Sequence, residues 1–135
     1  DYTKEEWKMV KETRKIMHDE SMAITATTVR VPVFRSHSES MNIETHQKLT
    51  AEEAKKVLAA FPNIIVEDDP ATNRYPMPVD TSNKDEVFVG RIREDNTIEK
   101  GLNIWVAADQ IRKGAATNAV QIAELVAEYG CVRER

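Results

Sequence analysis

The apolar residues Trp7, Val10, Ile16 and Met17 fall near helical spacing, and Thr3 followed by Glu6 has the form of a capping box. The pattern predicts a helix over residues 3–18. Residues 24–34 are rich in Thr and Val but contain Pro32, which predicts an edge or interrupted strand. Residues 35–40 read as a turn, and Met41 to Thr45 alternates with period two as a second strand. Thr50 then caps a predicted helix running through Ala60, with Ala54, Val57, Leu58 and Phe61 on one face. Pro62-Asn63 ends it, and Ile64-Ile65-Val66 forms a small strand.

Residues 67–85 hold prolines, asparagines and aspartates with scattered apolar positions, so they read as a long irregular loop, of a kind often functional. Residues 86–93 alternate, with Val87 and Val89 against Phe88 and Gly90, and residues 102–108 form a similar strand after turn chemistry at Glu94 to Thr97. An Ala-rich amphipathic helix over residues 115–129 closes at Gly130. About five strands and three helices are expected. The fold class is α+β, a mixed and largely antiparallel sheet with helices packed on one face.

Composition narrows the class without naming it. The 135 residues are 41% hydrophobic and 31% charged, a size at which a single domain buries roughly two-thirds of its unfolded surface. The net charge of −4 comes from 23 acidic and 19 basic residues of interspersed sign, which argues against nucleic acid as a partner. Apolar runs fall far short of the ~20 residues a membrane helix needs, so a soluble cytosolic protein is expected. Cys131 is the only cysteine, which excludes an internal disulfide. The start at Asp1-Tyr2-Thr3, directly before a helix, reads as a piece of a longer polypeptide. Four glycines and no G-x-G-x-x-G leave no cradle for a dinucleotide's phosphates.

Specific chemistry enters at Val29-Arg30-Val31-Pro32-Val33-Phe34-Arg35-Ser36-His37-Ser38-Glu39, where an arginine precedes a histidine by seven positions. This segment resembles the active-site signature of aspartate-semialdehyde dehydrogenases. Glu5-Glu6-Trp7-Lys8, Asn73-Arg74-Tyr75-Pro76, Phe88 to Arg93, and Lys113 to Gln121 resemble that family's other segments in order, over nearly the whole chain. The resemblance implies a fold like the C-terminal domain of glyceraldehyde-3-phosphate dehydrogenase. It also implies the reduction of aspartyl phosphate to aspartate semialdehyde and phosphate with NADPH, through a cysteine thioester, in a homodimer. The chain would then be the latter part of the catalytic and dimerisation domain. The dinucleotide-binding domain and the nucleophile segment would lie outside it, so NADP would not bind this chain tightly.

By the same resemblance, His37 is the acid/base group, a task suited to an imidazole because it titrates near neutral pH. Arg30 grips the substrate carboxylate, Glu5 its amine and Lys8 the phosphate, while Asn118 and Gln110 contact the cofactor. Each has a plainer reading: a polar turn histidine, a solvated arginine, a surface Glu–Lys pair, two ordinary amides. Arg30 and His37, an odd number apart, would face opposite sides of a regular strand, so a break at Pro32 or Arg35-Ser36 is expected. Cys131, near Arg133 and Arg135, follows the last helix and has no base placed beside it, so it is not the nucleophile. His18, His37 and His46 lack metal-site spacing. The rivals are a dimerisation module without catalysis, and the related reductase of N-acetyl-glutamyl phosphate, against which the Glu-x-x-Lys helix and the Arg–His signature weigh.

Overall fold

Residues 1–130 are described by the structure, a computed structural model, and they fall into two units, Asp1–Pro32 and Val33–Arg135. Cys131, Arg133 and Arg135 lie outside the described residues.

In the first unit the capping box forms as its sequence dictates. Thr3 Oγ1 accepts from the Glu6 amide at 3.2 Å, Glu6 Oε2 accepts from the Thr3 amide at 2.8 Å, and helix α1 follows over Lys4–Met17. His18 ends it in the left-handed conformation, its amide returning to Arg14 and Lys15 carbonyls. The expected strand over residues 24–34 does not form. The chain from residue 22 to 28 keeps the period-two pattern, with Met22, Ile24, Ala26 and Thr28 half-buried, yet it joins no sheet. Side chains take the place of a neighbouring strand. Glu6 Oε1 accepts from the Thr28 amide at 2.9 Å, Arg14 Nε donates to the Met22 carbonyl at 3.0 Å, and the Tyr2 and Thr25 hydroxyls lie 3.1 Å apart. Glu6 thus serves both the helix cap and the extended segment, and the Thr28 and Thr3 amides hold its carboxyl below its ordinary value.

The second unit is α+β, built on a four-stranded mixed sheet of order β1-β4-β3-β2. Strand β1 spans His37–Glu44, β2 Ile64–Val66, β3 Val87–Asp95 and β4 Gly101–Ala108. β4 pairs antiparallel with β1 and β3, and β2 runs parallel to β3. Among the described residues four strands therefore stand where about five were expected. β1 begins at His37, inside the predicted turn, because it pairs with β4 from His37–Ala108 onward.

Helix α2 (Ala51–Ala60), with its own capping box at Thr50, packs on one face of the sheet. Ala54 and Leu58 meet Val87 and Val89 of β3, Leu102, Ile104 and Val106 of β4, and Ile64 and Val66 of β2. Ile92 would face away in a regular strand. One extra residue in β3 between Gly90 and Arg93 turns it inward, with Arg91 at φ 52°. Asp68, its carboxylate nearly fully buried, accepts from the Arg91 and Ile92 amides at 2.9 and 3.2 Å and pairs with Lys55 at 3.2 Å. On the other face Pro76 approaches β3 and β4: its carbonyl accepts from Trp105 Nε1 at 2.9 Å, and its ring lies against Gly90.

The expected irregular loop holds a 3-10 turn at Pro70–Thr72 and the short helix α3, Pro78–Thr81. A π-helical turn, Arg112–Ala116, precedes helix α4, Thr117–Tyr129, which Gly130 caps at φ 61°.

Candidate active site

His37 is exposed at the first position of β1. Immediately before it, Ser36 is almost fully buried with φ at +79°, a conformation that costs a non-glycine residue about 1–3 kcal/mol. Its surroundings maintain that conformation. Gln110 Oε1 accepts from the Ser36 amide at 2.8 Å, and the Ser36 and Thr81 hydroxyls lie 2.5 Å apart, Thr81 being fully buried at the end of α3. Arg35 bonds Asn83 through its guanidinium.

Asp109, also fully buried, follows β4 and accepts from the amides of Asn83 at 2.8 Å, Ile111 at 2.9 Å and Arg112 at 3.3 Å. Burial pushes its carboxyl up, but these three amides and the Arg35 charge outweigh burial and leave it below the ordinary value. The end of β4, the end of α3 and the start of β1 are thus tied together around residue 36.

The next turn is held by Asp85. It receives Arg112 Nε at 2.7 Å and Nη2 at 3.0 Å, and the Thr117 hydroxyl at 2.8 Å, which lowers its carboxyl from 3.8 to about 2. Asn118, half-buried, follows Thr117 in the first turn of α4.

In the first unit Glu5 and Lys8 share one face of α1, as their spacing predicts, and bind each other at 3.1 Å while remaining more than half exposed. The hydrogen bond and charge of Glu5 raise the Lys8 ammonium above its ordinary value. An open depression of about 470 Å³ is lined by Lys4, Trp7, Lys8 and Lys11, a cationic ring around an indole. Arg30 is exposed on the extended segment. No regular strand connects residues 30 and 37, so the alternation that set their side chains on opposite faces does not apply.

The sequence-predicted residues therefore fall into two groups, Glu5, Lys8 and Arg30 in one unit, His37, Gln110 and Asn118 in the other. Only Glu5 with Lys8, and Gln110 with the residue before His37, are joined by direct bonds. Sequence reading missed Ser36, Thr81 and Asp109. An aspartate directly after a strand and two or three residues before amides it can cap was the one available signal, at Asp109.

A family described as the semialdehyde dehydrogenase dimerisation domain matches residues 1–113, and the chain belongs to that family. Its relatives are more particular. The chain is 59% identical over 131 residues to the aspartate-semialdehyde dehydrogenase of Aquifex aeolicus (strain VF5), covering 97% of this chain and 38% of that protein. It is 46% identical over 132 residues to the enzyme of the same name from Bacillus subtilis (strain 168), with the same coverage. The solved structure of aspartate semialdehyde dehydrogenase II from Vibrio cholerae, complexed with ASA, superposes with a TM-score of 0.89 at 47% identity, over 94% of this chain and 37% of that one. The Francisella tularensis enzyme gives 0.83 at 28% identity, over 92% and 35%. The chain thus spans well under half the length of the relatives it matches.

Proposed function

We propose that this chain is the acid/base and dimerisation part of an NADP-dependent aspartate-semialdehyde dehydrogenase. The enzyme acts in the cytoplasm as a homodimer in amino-acid biosynthesis and reduces L-4-aspartyl phosphate to aspartate semialdehyde and phosphate. The observation that carries the reading is 59% identity to a named relative across nearly the whole chain, with the Arg30–His37 signature inside the aligned region.

His37, exposed at a fixed strand start, takes the proton of a cysteine thiol supplied by a segment outside this chain and returns it to the departing oxyanion. Arg30 binds the substrate carboxylate through its planar fork. Glu5 receives the substrate amine, and Lys8, beside Lys4 and Lys11, receives the phosphate; the substrate then replaces the Glu5–Lys8 pair as partner of both.

The sequence holds no G-x-G-x-x-G, and this reading leaves the cofactor's phosphates to a part of the enzyme outside this chain. Gly90 and Gly101 are pressed against neighbouring atoms, Gly114 lies in the π-helical turn, and Gly130 caps a helix. Asn118 is assigned to the nicotinamide end and Gln110 to a second contact with the cofactor, which when bound supplies the reducing equivalent.

The test is a hybrid enzyme in which this chain replaces the matching segment of the Aquifex aeolicus relative. Phosphate- and NADP-dependent oxidation of aspartate semialdehyde is expected, and His37→Gln lowers kcat about 10²–10⁴-fold with little change in KM. A His37→Gln hybrid with the parent kcat would overturn the role.

A further inference from the structure

We infer that buried Ser36, Thr81 and Asp109, together with half-buried Gln110, form a positioning device for His37 in which Gln110 acts through the Ser36 amide. The inference rests on the reading of His37 as the acid/base group.

The residue before His37 adopts a backbone conformation that a serine rarely takes, with φ at +79°. An unsupported strand start would relax from it and swing the following side chain. Three contacts from outside the strand oppose that relaxation. The Ser36 amide cannot join the ladder with β4, whose pairing begins at His37–Ala108, and it is taken instead by Gln110 Oε1 at 2.8 Å. The Ser36 hydroxyl meets Thr81 Oγ1 at 2.5 Å, and that hydroxyl is also 3.2 Å from the Met77 carbonyl, which orients it. Asp109 binds the Asn83 amide on one side and the Ile111 and Arg112 amides on the other, so the segments bearing Thr81 and Gln110 are locked to one carboxylate.

Thr81 and Asp109 are fully buried and Ser36 nearly so, which removes them from contact with substrate. Their effect on chemistry must pass through the backbone at residues 36 and 37. Gln110 is the informative member. The bond observed here uses its oxygen alone, and a contact with the cofactor would fall to its NH2 group. Glutamate keeps an oxygen at that place and loses the NH2, so Gln110→Glu separates the two roles.

The experiment uses two readouts. In the 135-residue chain, Thr81→Val and Gln110→Ala should accelerate Ser36 amide exchange and move the His37 ring resonances, while Thr81→Ser and Gln110→Glu restore both. In the hybrid enzyme, Thr81→Val should lower kcat about tenfold or more, with KM for NADP and for aspartate semialdehyde within about twofold, and Gln110→Ala should lower kcat to a similar extent; misplacement of a reacting group by about 1 Å has effects of this size. Thr81→Ser and Gln110→Glu should recover most of the loss. The inference is overturned if Gln110→Ala and Gln110→Glu both raise KM for NADP at unchanged kcat, or if Thr81→Val leaves kcat and the His37 resonances as they were. A parent hybrid without activity would contradict the functional reading instead, and the exchange and resonance shifts would still decide whether the cluster positions His37.

Discussion

Gly90 shows how a single position ties the sheet to the segment that crosses it. A Cβ there would stand 2.3 Å from the Glu67 carbonyl oxygen and 2.5 Å from Pro76 Cδ. Neither atom belongs to a flexible side-chain end, so the backbone itself would have to move. Gly90→Ala is expected to destabilise the chain by about 1–3 kcal/mol, read as a fall in the urea midpoint at unchanged slope. A midpoint equal to the parent's would mean that residues 67–76 do not lie against β3. Single residues were unevenly legible. His37, Arg30, Glu5 and Lys8 could be singled out because the strings around them resemble a known family's motifs, whereas by type and spacing alone each reads as an ordinary surface group. Ser36, Thr81 and Asp109 could not, since a serine, a threonine and an aspartate acquire meaning only when segments 36, 81 and 109 meet.

At the scale of elements, helices declared themselves more clearly than strands. Thr3 with Glu6 and Thr50 with Glu53 are local devices, readable within four residues, and both form as written. Residues 24–34 had strand composition and residues 22–28 keep strand-like alternation, yet the Thr28 amide bonds the Glu6 side chain and the Met22 carbonyl the Arg14 side chain. Composition reports an extended backbone and says nothing of what pairs with it. The bulge in β3 was hidden for a similar reason, because it depends on Asp68 reaching the Arg91 and Ile92 amides from another segment.

The junction into α4 makes its own prediction. Asp85 clamps Arg112 and Thr117, and its folded-state value is depressed to about 2. Its contribution is therefore fully present above its ordinary value of 3.8 and is lost as pH falls from there toward about 2. Stability measured by urea unfolding should fall over that window, and Asp85→Asn should be less stable than the parent at pH 7 with a weaker dependence between pH 4 and 2. An unchanged pH dependence in Asp85→Asn would remove the clamp from the account.

At the scale of the whole molecule, apolar surface stays uncovered among the described residues. Val120, Ile122, Leu125 and Tyr129 of α4 are each more than half exposed, and β1 presents seven of its eight residues to solvent. The apolar pattern of α4 predicted a helix with a buried face, and the helix formed without the burial among the described residues. Periodicity fixes which side of an element is apolar but carries no information on what covers it. The α+β class and the order of the motifs were legible, because each motif is a local string. The division of the site residues between two units was not, since it depends on where Pro32 falls relative to the first sheet contact.

On the proposed function, this chain carries an acid/base histidine and substrate-binding groups, while the nucleophile and the segment that holds the cofactor's phosphates belong to the rest of the enzyme. The most direct measurement compares the 135-residue chain alone with the hybrid built on the Aquifex aeolicus relative, in one assay of NADP- and phosphate-dependent oxidation of aspartate semialdehyde. The account predicts activity in the hybrid and none in the chain alone. Turnover by the isolated chain, or a folded hybrid that turns over nothing, would contradict it.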